Sequence, residues 1–394
     1  MTARIAVLAL AGLASGCSCE DAIVGPETEE PPVEDRGQWL TTGVLSDGTP
    51  VAAWYNRDHT SLEFGIATPA AEGFAWSYEP VDGWPDDAGL DVGDRGRYAS
   101  LSVAPGNVVW IAYHDASNRS LRWARRDWEV AREAGDDFTP PVRGRWTTGV
   151  ADVGGGPTPD AGLWASLAID PAGHPVVAHH DRGQGTLRVV RWSDGAFGAA
   201  TVIEGEDRPA QDSGDAAATA EVGAFARLDV AADGTERVLY YDAAFGALRL
   251  AEGGASGFTV STVDDEGDVG PWPSLLVEDG GTLHVAYQDV GHQDLLYATG
   301  TAGSFTRTVV DAGEYRGADT EIFRDGGLLS ILYFDGEDND VLLATLSGGS
   351  WTTATLGGED RALGYHNEVF ASGGRTWAAC YDYTARSVWA RSLE

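Results

Sequence analysis

A sixteen-residue hairpin recurs along this chain, and nothing else in the sequence restricts its fold as much. It reads SLSVAPGNVVWIAYHD from Ser100 to Asp115, SLAIDPAGHPVVAHHD from Ser166 to Asp181, RLDVAADGTERVLYYD from Arg227 to Asp242 and SLLVEDGGTLHVAYQD from Ser274 to Asp289. Aligned on the final residue, seven units end at Asn56, Asp115, Asp181, Asp242, Asp289, Asp335 and Asp382. Twelve residues before each stands an apolar residue: Val44, Val103, Ile169, Val230, Val277, Phe323 and Phe370. Four places further on come Gly48, Asn107, Gly173, Gly234, Gly281, Gly327 and Gly374. Glycine and asparagine accept the positive φ of a tight hairpin at least cost, so this column has a steric cause. Six residues after the Asp column, Leu62, Leu121, Leu187, Leu248, Leu295, Val341 and Val388 begin another apolar strand. The unit is therefore strand, Gly turn, strand, Asp turn, strand, usually followed by a fourth such as FTVSTVD, Phe258 to Asp264.

The Asp column is spaced at 59, 66, 61, 47, 46 and 47 residues. Four strands recurring about every 40–50 residues are the signature of a β-propeller, in which each blade buries its faces against its neighbours. Seven units predict an all-β, seven-bladed β-propeller of four-stranded antiparallel blades. A β-solenoid is the rival, but its repeats are shorter, and no helical period competes. The longer intervals hold Gly- and Asp-rich stretches, residues 77–97 and 204–223, which read as loops. With strands A to D running from axis to rim, the D-to-A and B-to-C connections share one face, here called the top. The insertions and the Asp turns then surround one mouth of the central channel. In those turns the Asp side chain is expected to accept backbone N–H groups, a structural role.

Only three strands follow in the last unit before Glu394. The segment TEEPPVED, Thr28 to Asp35, is expected to supply strand D of blade seven and so close the ring, an outermost strand being where a sheet tolerates proline. The propeller domain thus spans 28–394, with 18–27 as a flexible tether. Residues 1–17 read as an export signal, with Arg4, an apolar run from Ile5 to Ala14 and small residues up to Cys17. The run Leu13-Ala14-Ser15-Gly16-Cys17 resembles a bacterial lipobox, which implies a lipid on Cys17 and a place in the cell envelope, at the outer membrane; a secreted protein cut near here is the alternative. Cys19 lies in the tail and Cys380 in a strand, so a disulfide framework is not expected. Net charge is −35, from 61 acidic against 26 basic residues, which argues against a nucleic-acid partner. Membrane contact is expected only through the lipid anchor, and the chain is expected to be a monomer.

With these features the mature chain is similar to secreted bacterial lipoproteins built of β-propeller repeats and, distantly, to sialidase-like propellers. The sialidase Asp box, S-x-D-x-G-x-x-W, is absent: SLAIDPAGHPVV places its Asp and Gly between the first two strands and lacks the Trp. The Gly-His and Trp-Asp dipeptides of WD repeats are absent too. The resemblance implies an architecture and no particular activity.

Function is sought where the copies disagree. On one face of strand A, most blades carry small or apolar residues: Ala99 and Leu101, Ala165 and Leu167, Ala226 and Leu228, Pro273 and Leu275. Blade six has Asp319 and Glu321, and blade seven has His366 and Glu368. Burying such groups unpaired is costly, so they are not ordinary core. Three readings compete. The four residues hold Ca²⁺ or another divalent cation or a small ligand; or Glu321 and Glu368 form the acid–base pair of a glycoside hydrolase; or the charges are merely solvated in a wide channel. Arg227 replaces the Ser or Thr seen in Thr41, Ser100, Ser166, Ser274 and Thr320, and suits either a salt bridge or a carboxylate ligand. His114, His179 and His180 are expected to fill packing roles, and Arg122, Arg125, Arg126 and Arg132 to be self-neutralising surface. No phosphate loop, Cys/His metal spacing or nucleophile elbow appears. The leading expectation is a surface-anchored binding or interaction module, not an enzyme, taking a small ligand, metal, glycan or protein at the top mouth. The alternative is a hydrolase of a glycan or similar polymer.

Overall fold

A computed structural model describes residues 34–70, 73–84, 93–127, 146–205, 221–358 and 360–393. The export signal, the tether, Arg132 and most of the expected closing strand lie outside these residues. The described chain forms seven antiparallel sheets in sequence order: a seven-bladed β-propeller. Six sheets have all four strands A to D, and blade seven shows three. In blade three, strand D is divided into Ala196–Phe197 and Thr201–Glu204, both paired to strand C. The stretch read as a loop over 77–97 is strand at both ends: strand D of blade one is Phe74–Asp82, and Arg95 opens the next strand.

The core is divided among the seven seams between blades. Leu62 and Phe64 of blade one pack with Ile111 and Tyr113 of blade two, and equivalent buried clusters follow at each seam in turn. The last joins Leu40 and Trp54 of blade one to Phe370 and Ala379 of blade seven. The ring therefore closes by face-to-face packing of its first and last blades, reinforced by the Arg36 N–H bonded to the Arg386 carbonyl at 3.0 Å. Glu34 and Asp35 belong to no strand; Asp35 instead accepts the Tyr381 hydroxyl of blade seven.

The two columns read from the sequence behave as expected. Every member of the hairpin column, Gly48 through Gly374 and Asn107 included, has positive φ. Every member of the Asp column is buried, and the side chains cap their turns: Asp115 Oδ1 accepts Asn118 N–H at 2.8 Å, Asp382 Oδ1 accepts Ala385 N–H at 2.8 Å, and Asn56 Oδ1 accepts Asp58 N–H at 3.0 Å. Each charge is also neutralised locally. Arg188 and Arg249, seven residues after Asp181 and Asp242, pair with them at 3.1 Å. In blade one the logic is inverted: the neutral Asn56 faces Glu63, which takes its Nδ2–H at 2.8 Å and the Arg36 guanidinium at 2.9 Å.

The histidines do more than pack. His114 meets Asp160 at 3.0 Å, His179 lies 3.2 Å from Asp152, and His180 Nδ1 donates to the Val222 carbonyl at 2.8 Å, burial pushing its pKa down to about 4. Polar rings in these strand ends must find partners because the neighbouring blade removes them from water. Arg126 is likewise no surface residue: at 1% exposure it is paired across the seam with Glu79.

Candidate functional site at the channel mouth

Strand A of each blade lines the axis, and near its top end it carries a short motif that alignment on the Asp column hides. The motif is Gly-x-aromatic-x-Ser/Thr, as in Gly37-Gln38-Trp39-Leu40-Thr41, Gly96-Arg97-Tyr98-Ala99-Ser100 and Gly162-Leu163-Trp164-Ala165-Ser166. The glycine recurs in all seven blades, at Gly37, Gly96, Gly162, Gly223, Gly270, Gly317 and Gly364, each with φ between 87° and 118°. Its lack of a side chain is required by the neighbour: a Cβ on Gly162 would stand 2.8 Å from Leu121 Cα of the preceding blade, and one on Gly96 2.8 Å from Leu62 Cα. This close approach sets each inner strand against the blade before it.

Two residues on, the backbone bulges. Trp39, Tyr98, Trp164, Phe225, Trp272, Asp319 and His366 all have left-handed φ values, from 46° at Asp319 to 55° at Phe225 and His366. In six blades the ladder skips here, as between Gln38 paired to Tyr55 and Thr41 paired to Ala53. In blade five, Pro271 and Pro273 flank Trp272, and regular pairing begins only at Ser274. A bulge re-aims a side chain that would otherwise face a neighbouring blade. All seven bulged residues line one cavity of about 130 Å³ on the axis.

This corrects the register expected for the acidic cluster. Asp319 and His366 stand in line with the aromatic residues, not with Ala99 and its equivalents. Glu321, paired to Leu332, and Glu368, paired to Ala379, stand in line with Ser100, paired to Ala112, and not with Leu101. Arg227, paired to Leu239, shares that polar position, whereas Thr320 is displaced from it by one. The cause is the hairpin between strands A and B. In blades one to five it has a three-residue loop such as Ser46-Asp47-Gly48, and in blades six and seven only Gly326-Gly327 and Gly373-Gly374. One residue fewer moves strand A by one relative to the Asp column, which exchanges its faces.

The mouth is built in two layers. In the upper layer five aromatic rings follow one another around the axis, with centroids 5.3 Å apart for Trp39–Tyr98 and Tyr98–Trp164, 5.2 Å for Trp164–Phe225 and 4.8 Å for Phe225–Trp272. Their interplanar angles, 50°, 51°, 44° and 54°, match the roughly 51° turn between successive blades of a seven-fold ring. Each ring thus holds the same attitude on its own blade. Asp319 and His366 occupy the remaining two positions, His366 lying 5.8 Å from Trp39.

In the lower layer the Ser/Thr position joins the blades. Thr41 accepts the Leu101 N–H at 3.0 Å, Ser100 that of Leu167 at 3.0 Å, and Ser166 that of Leu228 at 2.9 Å. Glu368 performs the same service at the closing seam, its Oε2 taking the Thr42 N–H at 3.1 Å and hydroxyl at 2.9 Å. Arg227 cannot accept. It reaches past blade five, donating to the Pro273 carbonyl at 3.2 Å and to Glu321 at 3.2 Å. Arg227, Asp319, His366 and Glu368 line one cavity, and Glu321 joins them through Arg227.

Burial sets the charges of this group. The Glu368 carboxyl is pushed up to about 7 by burial and by Glu321 beside it, against Arg227 and the Thr42 bonds. Burial raises Glu321 against the pull of Arg227, and raises Asp319 against His366 and Arg227. It lowers His366, which Asp319 only partly offsets, so the imidazole is held neutral. Among the described residues no three His, Cys, Asp or Glu side chains stand where they could hold a metal ion, these four included.

No family model matches the chain, and no curated protein matches it. Solved structures do. A polysaccharide lyase, Uly1, is 10% identical with a TM-score of 0.54, covering 94% of this chain and 90% of that one. A puromycin hydrolase, as an S511A mutant complexed with PGG, is 13% identical with a TM-score of 0.52, covering 89% of this chain and 52% of that one. At such identities the likeness is one of fold: this is a distant relation among propellers, without a specific family.

Proposed function

We propose that this protein is a binding module whose recognition site is the top mouth of the channel. The observation that carries the reading is the complete ring of seven bulged side chains, five of them aromatic, around one cavity. Left-handed backbone at a non-glycine residue costs on the order of 1–3 kcal/mol, and the chain bears it at this position in every blade, where its effect is to aim a side chain into the channel. The cavity, at about 130 Å³, is close to the roughly 150 Å³ of an apolar cavity that holds one benzene. It suits a small molecule or one side group of a larger one, and is too small for a polymer to enter. Export, anchoring through a lipid on Cys17 and a monomeric state complete the reading.

Glycan hydrolysis is the second reading, favoured by one observation: Glu368 with a pKa of about 7 beside Glu321, the pairing a general acid needs. Against it, Glu321 is tied to Arg227 and Glu368 to Thr42. One experiment separates the two. The full chain is titrated with small amines, amino acids, monosaccharides and oligosaccharides, following tryptophan fluorescence, while the same mixtures are assayed for new reducing ends. Saturable binding without turnover, lost in Trp164→Ala, is the expected outcome. Turnover abolished by Glu368→Gln would replace the binding reading with the hydrolytic one.

A further inference from the structure

Taking the mouth as a binding site, as proposed above, its charge and its walls define the ligand more closely. Three carboxylates gather there, Asp319, Glu321 and Glu368, against one cation, Arg227, whose guanidinium is committed to Glu321 at 3.2 Å and to the Pro273 carbonyl. Asp319 is half-buried, stands in the aromatic ring and makes no ion pair among the described residues. Asn367 lies next to it in the wall at 3% exposure; its Nδ2 donates to the Asp319 carbonyl at 2.9 Å, and its Oδ1 has no hydrogen-bond partner. A neutral or anionic ligand would desolvate Asp319 with only the His366 backbone N–H and the pull of Arg227, already paired to Glu321, to set against its charge, which is the costly arrangement for a carboxylate. A metal ion would find no set of three ligands and a wall of rings. The rings suit something else. Neighbouring centroids about 5 Å apart around seven evenly spaced positions lie roughly 6 Å from the axis, at the outer limit of the distance at which a ring face attracts a cation, so a cation displaced from the axis toward one ring comes within it.

We infer that the mouth takes a small organic cation of the quaternary-ammonium type, with its charge beside Asp319 and its apolar substituents against Trp39, Trp164 and Trp272. The surrounding field acts in the same sense. A chain of net charge −35 raises the local concentration of cations at such a mouth and repels anions.

The test titrates the full chain with choline and with its neutral isostere, 3,3-dimethylbutan-1-ol, following tryptophan fluorescence and calorimetry. Choline is expected to bind saturably and at least tenfold more tightly than the isostere, with affinity falling as salt is added. Asp319→Asn is expected to abolish that preference without disturbing the fold, because asparagine is at ease with the left-handed backbone at this position, φ 46°. Equal affinity for the two compounds, or a preference that survives Asp319→Asn, would overturn the inference while leaving the mouth a binding site. Failure of choline to bind would overturn it as well, and only failure of the whole panel of amines and sugars would carry the binding reading down with it.

Discussion

Glu368, which sequence offers as one member of an acid–base pair, joins the last blade to the first in the structure. It stands where blades one to three have Thr41, Ser100 and Ser166, and accepts the same backbone N–H from the next blade, here across the seam between the last blade and the first. Glu368→Ala removes that acceptor and leaves the Thr42 N–H unpaired, which is expected to lower stability by about 1–3 kcal/mol in denaturant unfolding; Glu368→Gln keeps an acceptor and should cost much less. The carboxyl also fixes a pH dependence. Its folded pKa of about 7 lies above the model-peptide value of 4.5, so its contribution is fullest below pH 4.5 and is lost as pH rises through 7. The stability difference between wild type and Glu368→Gln should therefore move against the wild type across that window and level off above it, with Glu321 and Arg227 the charges that face the group. A flat difference would mean that Glu368 titrates as a free carboxyl. At this scale the Asp column was legible, because a carboxylate capping a turn leaves a fixed position in sequence. Asp319 and His366 are recognisable in sequence as outsiders, but their alignment with the aromatic residues is not, since a hairpin one residue shorter shifts a strand without changing any residue in it.

Among the elements, strand A carries the information. The glycine of its motif stands nineteen residues before the Asp column in blades one to five and eighteen in blades six and seven, so alignment on that glycine gives the true register of the mouth. The Asp column does not carry this register, because the A–B hairpin between it and the glycine is one residue shorter in blades six and seven. Gly162→Ala is expected to cost about 3 kcal/mol or more, since a Cβ there meets the Leu121 backbone and φ is 101°. A second tie runs along strand B. Two residues before the Asp column, a tyrosine donates to the acidic end of strand D in the preceding blade: Tyr113 to Asp82 at 2.5 Å, Tyr287 to Asp264 at 2.7 Å and Tyr333 to Asp311 at 2.6 Å. His179 and Asp152 take those places at the seam of blades two and three. Tyr287→Phe should cost about 1–2 kcal/mol, because Asp264 retains Arg307 at 3.2 Å. Blade seven has Cys380 in the tyrosine position, bonded to the Gly364 N–H of its own blade. Among the described residues the seam between blades six and seven thus lacks this tie, and Asp319 and His366 lie on either side of it. Such pairings join residues of different blades, and one repeat read alone contains no trace of them.

For the whole molecule, seven blades could be counted from sequence because each hairpin must state its own turn; the closing strand expected over 28–35 lies mostly outside the described residues, and the packing of blade one on blade seven uses the same kinds of residues as any other seam. If Cys17 carries the proposed lipid, Cys17→Ala should abolish palmitate labelling and move the protein from the envelope fraction to the soluble one. The binding reading rests on the mouth. Its two layers place a polar seam of hydroxyls and carboxylates beneath an upper ring of aromatic residues, and the only breaks in that ring are charged or titratable. That the ring is where this protein meets its ligand is best tested by fluorine NMR of the full chain labelled with 5-fluorotryptophan and titrated with whichever compound of the amine and sugar panel binds. Resonances of Trp39, Trp164 and Trp272, assigned by single Trp→Phe variants, should move together and saturate at one affinity, while those of Trp110 and Trp192, packed between blades two and three, stay still. Shifts at Trp110 and Trp192 without shifts at the three mouth tryptophans would contradict it.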